Sequence, residues 1–455
     1  MSNRFIEIDR RQPITLPGNL EGWLEGNDLA HFIVEVVEAL DTGAIEAAYH
    51  GGGSAPYPPK MLLALLFYCY ATGLFSSRKM ERATDELIPV WYLTGGTHPD
   101  HDRITTVRQR FWPPVEPLFV QLWRIAHDLG ILQLGDVSIE GTKIQANASK
   151  HQAMSGAYAE QLDETLRAAV RTLLPRAETA GGPGSTDLDL PAELTRREDR
   201  LQKIAEVKAE IERRAQARYA HEQADDTANQ AERAAKEQAR GRKRGGTPPQ
   251  EPLPGPRPQE QVNFTDEDAR IMPVSGGGVE QAYDAPATGE MATLLVVGAP
   301  VTPQANDNQE VEPALQEGAK RPDDLGQVER AAVDNGYYSQ DHVDTLAGHG
   351  IEPFIAVGRQ RPYEALEERL APLPEAPQNP DTVSAMQHRL KTTEGKAFYA
   401  KRNTTVEPVF GIIQEVMGFR RLLWRGLEAV KGEWRLVCLA FNVKRLCVLK
   451  AEIGG

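Results

Sequence analysis

Residues 399–426, YAKRNTTVEPVFGIIQEVMGFRRLLWRG, place Glu407 in a run dominated by basic, aromatic and aliphatic side chains. Val409, Ile412, Ile413, Val416 and Met417 recur at spacings of three and four, which predicts a helix with one apolar face. Proline is tolerated in a first helical turn, so Pro408 puts Glu407 at the helix start, with Arg402 just upstream and Arg420 and Arg421 downstream. A carboxylate among arginines suits a metal-dependent phosphodiester enzyme, in which the acid holds a divalent ion and the cations hold phosphate. An acid at a helix start is also favoured by the helix dipole alone, so the rest of the chain has to decide between the two.

Two other stretches bear on that choice. GDVSIEGTKIQANASKH (135–151) alternates Val137 and Ile139 and carries Glu140 near the end of the expected strand, before Gly141. QVERAAVDNGYYS (327–339) is a short β-prone run that ends in Asp334, followed by the turn signal Asn335-Gly336. Strand-end acid, strand-end acid and helix acid, in that order, is the layout of the ribonuclease-H-like phosphoryl-transfer fold. These stretches, with NFTDEDARIMPVSGGGVEQAYDA (263–285) between them, resemble the DDE transposases of bacterial insertion sequences. That family's pattern is a (D)GTKI.ANASKH strand, an ADAGY strand and a Y..R....VEPVFG.IK...GFRR...RG helix. The resemblance runs from about Tyr57 to about Leu449 and is weakest in the Pro-rich middle.

The resemblance implies an α/β fold: a ribonuclease-H-like mixed sheet with helices on both faces, preceded by an all-helical domain and interrupted by a long helical insertion. It implies a DNA-end-binding domain over 1–130, a catalytic domain over 131–151 and 263–455, and the insertion over 152–262. Glu140, Asp334 and Glu407 would be the catalytic acids and the ligands of two Mg²⁺ or Mn²⁺ ions. Lys143, Tyr399, Arg402, Arg420, Arg421, Arg425 and Arg108 are the side chains expected at DNA. The partners implied are double-stranded DNA, as terminal inverted repeats and target, and a second copy of the chain on that DNA. The chain departs from the family pattern at two of these positions. Glu140 stands where the family has Asp, and Gln414 stands where it has Lys, seven residues after Glu407. Asp136 is a poor substitute for Glu140, because four residues of strand separate them by roughly 13 Å.

With 455 residues the chain can form two or three domains. MLLALLFYCYA (61–71) is too short for a membrane span and reads as a buried helix, and MSNRFIEIDRR lacks a signal peptide's apolar stretch. Cys69, Cys438 and Cys447 lie in apolar surroundings without metal-ligand spacing, which suits core positions. A bacterial cytoplasmic, nucleoid-associated protein is the expectation. The net charge of −14 runs against a DNA binder, but the distribution does not. From His388 onward thirteen Lys/Arg face six Asp/Glu, so this part carries +7 and the remainder −21. Such a chain can hold DNA, with modest and salt-sensitive long-range attraction.

The first 130 residues read as helices over 28–40, 58–73, 76–87 and 102–130, with Ser76 or Ser77 as an N-cap and Gly130 as a stop. Arg103, Arg108 and Arg110 flank Thr105 and Thr106 at a helix start, where phosphate contacts are common. This block is similar to the InsH-type N-terminal domain of the same family; a bundle that only shapes a dimer is the structural alternative. In 190–223, Leu201, Ile204, Val207 or Lys208, and Ile211 line one side of a charged helix, which predicts a coiled-coil-like hairpin. Gly181–Thr186 and Gly241–Pro258 read as linkers, and Arg240, Arg242, Lys243 and Arg244 form a basic cluster suited equally to DNA or to solvent. VEQAYDA, MATLLVVGAPVT and IEPFIAV read as strands, and Pro362–Val383 as a surface loop. Three functions remain open on the sequence: an active transposase, an impaired relative that only binds DNA, and a helical scaffold whose acids are merely solvated.

Overall fold

The computed structural model describes residues 18–47, 56–111, 115–149, 153–179, 190–240, 251–257, 260–274, 277–303, 323–357 and 382–454. The Gly181–Thr186 link, the basic residues Arg242, Lys243 and Arg244, and nearly all of the Pro362–Val383 segment lie outside these. The chain divides into two compact units, one of Met1–Gln145 with Tyr283–Gly455 and one of Ala146–Ala282.

The first unit begins with short helices: Leu29–Ala39, Pro59–Ala71, Ser77–Glu86, Ile88–Thr94, His101–Phe111 and Val115–Asp128. Asp28 caps the first of them by accepting the Ala30 N–H at 2.8 Å. Pro59–Ala71 is apolar almost all round and is buried almost all round, as such a helix must be. The single helix expected over 102–130 is two helices. One ends at Phe111 and the next starts at Val115, and Pro113-Pro114 between them cannot supply the backbone N–H groups that a continuous helix needs. Helix Ile88–Thr94 escaped the periodicity reading because its run is too short to show a period.

The N-terminal helices belong to the same compact unit as the C-terminal helix Leu427–Gly454. Lys444 donates to the Ala71 carbonyl at 2.9 Å, and the ring of the fully buried Trp434 lies 6.4 Å from that of Phe410.

The sheet of this unit runs β5–β1–β7–β8, with β6 paired to β5. Here β1 is Asp136–Gln145, β5 Val279–Glu290, β6 Val296–Gly298, β7 Arg330–Val333 and β8 Glu352–Ile355. β1, β7 and β8 are parallel, whereas β5 and β6 are antiparallel, so the sheet is mixed. Ala331, Ala332 and Val333 are fully buried, as are Ser138 and Ile139 on β1. Consecutive buried residues are the signature of parallel strands covered on both faces. The architecture is mixed α/β and compatible with a ribonuclease-H-like domain. β1 runs through Gly141 to Gln145, so Glu140 lies mid-strand, a correction to the expected strand end. MATLLVVGAPVT supplies a turn at Met291–Thr293 and then only the short β6.

The second unit is a helical hairpin. Helices Gly156–Thr179 and Leu190–Arg240 pack around Ala159, Ile204, Val207 and Ile211, with Met154 of β2 (Ala153–Ser155) and Val262 of β3 (Gln261–Asn263) completing the cluster. Of the stripe read from sequence, Ile204, Val207 and Ile211 are buried and Leu201 is half-buried. β2 and β3 pair antiparallel, and β4 (Arg270–Pro273) pairs with the opening residues of β5.

Candidate active site

The parallel pairing of β1 with β7 places the first two acids. Its register runs Asp136↔Arg330, Val137↔Ala331, Ser138↔Ala332 and Ile139↔Val333, and the next residue on each strand is an acid, Glu140 and Asp334. The opposite end of the ladder is pinned by a two-pronged ion pair, Arg330 to Asp136, at 2.8 and 2.7 Å. A slip of one residue would break that ion pair, so the pair and the ladder together set the two carboxylates side by side. Asp136 is thereby committed to Arg330 and takes no part in the acid cluster. After Asp334 the chain turns at once through a 3₁₀ turn, Asn335–Tyr337, as the Asn-Gly pair predicts.

Arg402 binds the two acids together. Its Nη1 lies 3.3 Å from Glu140 Oε2 and 3.3 Å from Asp334 Oδ1. The guanidinium sits 5.6 Å from the Tyr399 ring centre, and the Tyr399 hydroxyl donates to the Val333 carbonyl at 3.2 Å. Tyr399 therefore braces the residue just before Asp334, and burial pushes its phenol up to about 12. The sequence places this tyrosine at phosphate; in the structure its hydroxyl is spent on the backbone.

Glu407 arrives on the helix Val406–Gly411, in its first turn as Pro408 requires. Val406, Val409 and Phe410 are buried beneath it while Glu407 faces solvent. The helix start lies close to β5: a Cβ added at Gly289 would meet Val406 Cγ2 at 3.0 Å. Beyond Gly411 the helix widens into a π-helical turn, Ile412–Val416, a feature frequent at functional sites. Gln414 in that turn donates to the Thr142 hydroxyl of β1 at 3.0 Å, tying the Glu407 helix to the strand of Glu140.

The electrostatics join the three acids. Burial pushes the Glu140 carboxyl up to about 7; Arg402 opposes this, and Glu407 and Asp334 add to it by charge repulsion. Glu140 Oε2 is buried and meets Arg402 as an ion pair without hydrogen-bond geometry. Carboxylate oxygens and crowded negative charge are the donor chemistry that a hard divalent ion takes. The spacing is another matter, because among the described residues no three His, Cys, Asp or Glu side chains are grouped so that they could hold a metal ion. Glu140 and Asp334 meet at the Arg402 guanidinium, while Glu407 acts on them by charge.

Two family models match this chain: a transposase DDE domain over residues 376–447, and a transposase domain (DUF772) over residues 19–110. Together they mark the chain as a transposase of the DDE, insertion-sequence type. No curated protein and no solved structure matches it. The DDE match takes in Tyr399, Arg402, Glu407 and the arginines after them; Glu140 and Asp334 lie outside its bounds and are brought to Arg402 by the sheet.

The other side chains expected at DNA divide in two. Arg420, Arg421 and Arg425 are exposed, and Arg420 pairs with Glu415. Arg421 also forms an isolated bridge with Gln145, and the Leu422 N–H donates to the Gln145 carbonyl at 2.9 Å, so this segment of the transposase lies along the end of the Glu140 strand. Lys143 is turned inward to an ion pair with the fully buried Asp284, so its charge is engaged within the sheet. Arg108 is a correction: it is 2 % exposed and donates to the Phe75 carbonyl, the Tyr70 hydroxyl and Glu433, so it cannot meet phosphate. Sequence reasoning placed it on a helix start without seeing that this face packs inward.

Glu433 itself was missed. It sits between Val430, Trp434 and Val437, all fully buried, so the available signal was an acid on the apolar stripe of a helix. Burial pushes it up to about 7 against the pull of Arg108, the Leu423 and Trp424 backbone amides and Tyr70.

Proposed function

We propose that this transposase cuts and rejoins DNA strands at the ends of an insertion sequence, with Glu140, Asp334 and Glu407 as its catalytic acids. The observation that carries the proposal is the meeting of Glu140 and Asp334, from two adjacent parallel strands, on the single guanidinium of Arg402, with Glu407 acting on them by charge. The three acids are the ligand set we assign to Mg²⁺ or Mn²⁺, two ions that would activate the attacking oxygen and stabilise the leaving one. Asp334, 44 % exposed beside the half-buried Arg402, is open to a phosphodiester from solvent. Arg402 is a rigid fork suited to a phosphate oxygen and the acids at once. The exposed Arg420, Arg421 and Arg425 extend the positive surface along the DNA backbone. End recognition is assigned to the helical block 1–130, supported by the transposase-domain match over 19–110.

A second reading, DNA binding without cleavage, is favoured by the same guanidinium, which draws the acids to itself where no three-ligand group forms among the described residues. Incubation with Mg²⁺ and DNA carrying the element's terminal repeats separates the two. Cleavage that vanishes in Asp334→Asn while binding persists supports the catalytic reading. Binding without cleavage by the unmodified chain supports the second, and neither activity removes both.

A further inference from the structure

The segment 419–426, between the π-helical turn and the C-terminal helix, carries Arg420, Arg421 and Arg425 but has little regular structure of its own. One side is held by the end of β1, where Leu422 donates to Gln145. The other is held by one buried carboxylate. Glu433 Oε2 accepts the Leu423 N–H at 2.8 Å and the Trp424 N–H at 3.2 Å. Glu433 Oε1 accepts from Arg108 at 3.3 Å and from the Tyr70 hydroxyl at 3.5 Å. Arg108 in turn lies 5.4 Å from the Trp424 ring centre and donates to the Phe75 carbonyl at 3.0 Å.

A buried ion pair alone is weak evidence for anything, since apolar residues of like size often serve stability as well. What apolar residues cannot do is accept two backbone N–H groups. We propose that Glu433 is a positioning residue for DNA: its carboxylate fixes the backbone at Leu423 and Trp424 and so aims Arg420, Arg421 and Arg425 at phosphate. Arg108 and Tyr70 hold the carboxylate, which links the N-terminal helices to the arginine segment. The inference rests on the DNA-binding reading above and deepens it.

Two double variants isolate the acceptor. Arg108→Met with Glu433→Gln removes both charges and keeps an oxygen for the two amides. Arg108→Met with Glu433→Leu removes the oxygen as well. Melting temperature, hydrogen exchange of the 419–426 amides and the salt dependence of binding to a generic duplex are measured for each. The Gln variant is expected to keep protected amides and the unmodified salt slope. In the Leu variant, Leu423 and Trp424 should exchange at least ~10-fold faster, the factor expected for losing a hydrogen bond to a charged acceptor. Its salt slope should flatten by about 0.9 for each phosphate that the arginines no longer neutralise. If the two variants fold but behave alike in exchange and slope, the positioning role is overturned and the pair is only structural. If the unmodified chain binds no DNA, the functional reading fails, while the exchange contrast still decides whether Glu433 holds the segment.

Discussion

Two glutamates in this transposase are pushed up to about 7 by burial, and their neighbours act in opposite directions. At Glu433 every neighbour opposes burial: Arg108, two backbone amides and the Tyr70 hydroxyl all favour the ionised acid. At Glu140 only Arg402 does so, while Glu407 and Asp334 make ionisation harder still. Glu433 has no exposed side-chain surface, whereas Glu140 keeps 18 % and meets one cation. A buried acid surrounded by donors holds parts of the fold together. A buried acid crowded by other acids is held there at a cost, and such strain gathers at sites that do chemistry.

The sharpest way to break this contrast is to remove charge from the crowded side. Asp334→Asn should abolish strand cleavage, by at least about 100-fold given what the outer-shell partners of metal sites alone contribute. The variant should stay within about 1 kcal/mol of the unmodified chain in stability, because the repulsion from Glu140 and the half-exposed ion pair with Arg402 are lost together; a gel cleavage assay beside a thermal scan reads both. On the satisfied side the pattern should reverse. Arg108→Ala strips the buried Glu433 of its cation, so the acid must either stay ionised unpaired or take up a proton, and should cost about 3–5 kcal/mol in chemical denaturation. A loss below about 1 kcal/mol there would mean that the two sites do not differ as described.

Between these lies the packing that sets Glu407 in place. Gly289→Ala drives a methyl against Val406 and should cost about 1–3 kcal/mol by overpacking. It should also lower cleavage more than Arg108→Ala does for the same loss of stability, if the Glu407 helix must sit at this depth; equal activity loss per unit of stability would deny that.

The smallest effect is in pH. Both carboxyls bind a proton more tightly folded than unfolded, so the folded chain holds more protons between the ordinary carboxylate value and about 7. Stability should therefore decline as pH rises across that window and level off above it. Glu140→Gln should remove its share of the decline in thermal melts taken across the window, and an unchanged slope would show that Glu140 ionises normally.

Much of this site was legible in the chain. Asp334 ahead of Asn-Gly, Glu407 ahead of a proline in an amphipathic run, and Arg402 five residues earlier are local signals, because turn and helix-start chemistry acts within a few residues. Glu140 is legible as an acid on a strand but not in its place along it, since pairing partners, not the strand's own sequence, decide where a β-strand stops. Arg108 and Lys143 were misread for a different reason. A cation at a helix start or on a strand looks the same in sequence whether it meets phosphate or a buried acid, and the acids that claim them, Glu433 and Asp284, lie 325 and 141 residues away.

The sequence by itself determined the helices with a strong period, the order of the three acids and the basic C-terminal part. Only the tertiary structure decided that a four-rung parallel ladder sets Glu140 beside Asp334, and that one arginine unites them. The reason is physical: propensity and capping act along the chain, whereas burial and charge act through space, and an ion's partner is whatever the folded core leaves within reach.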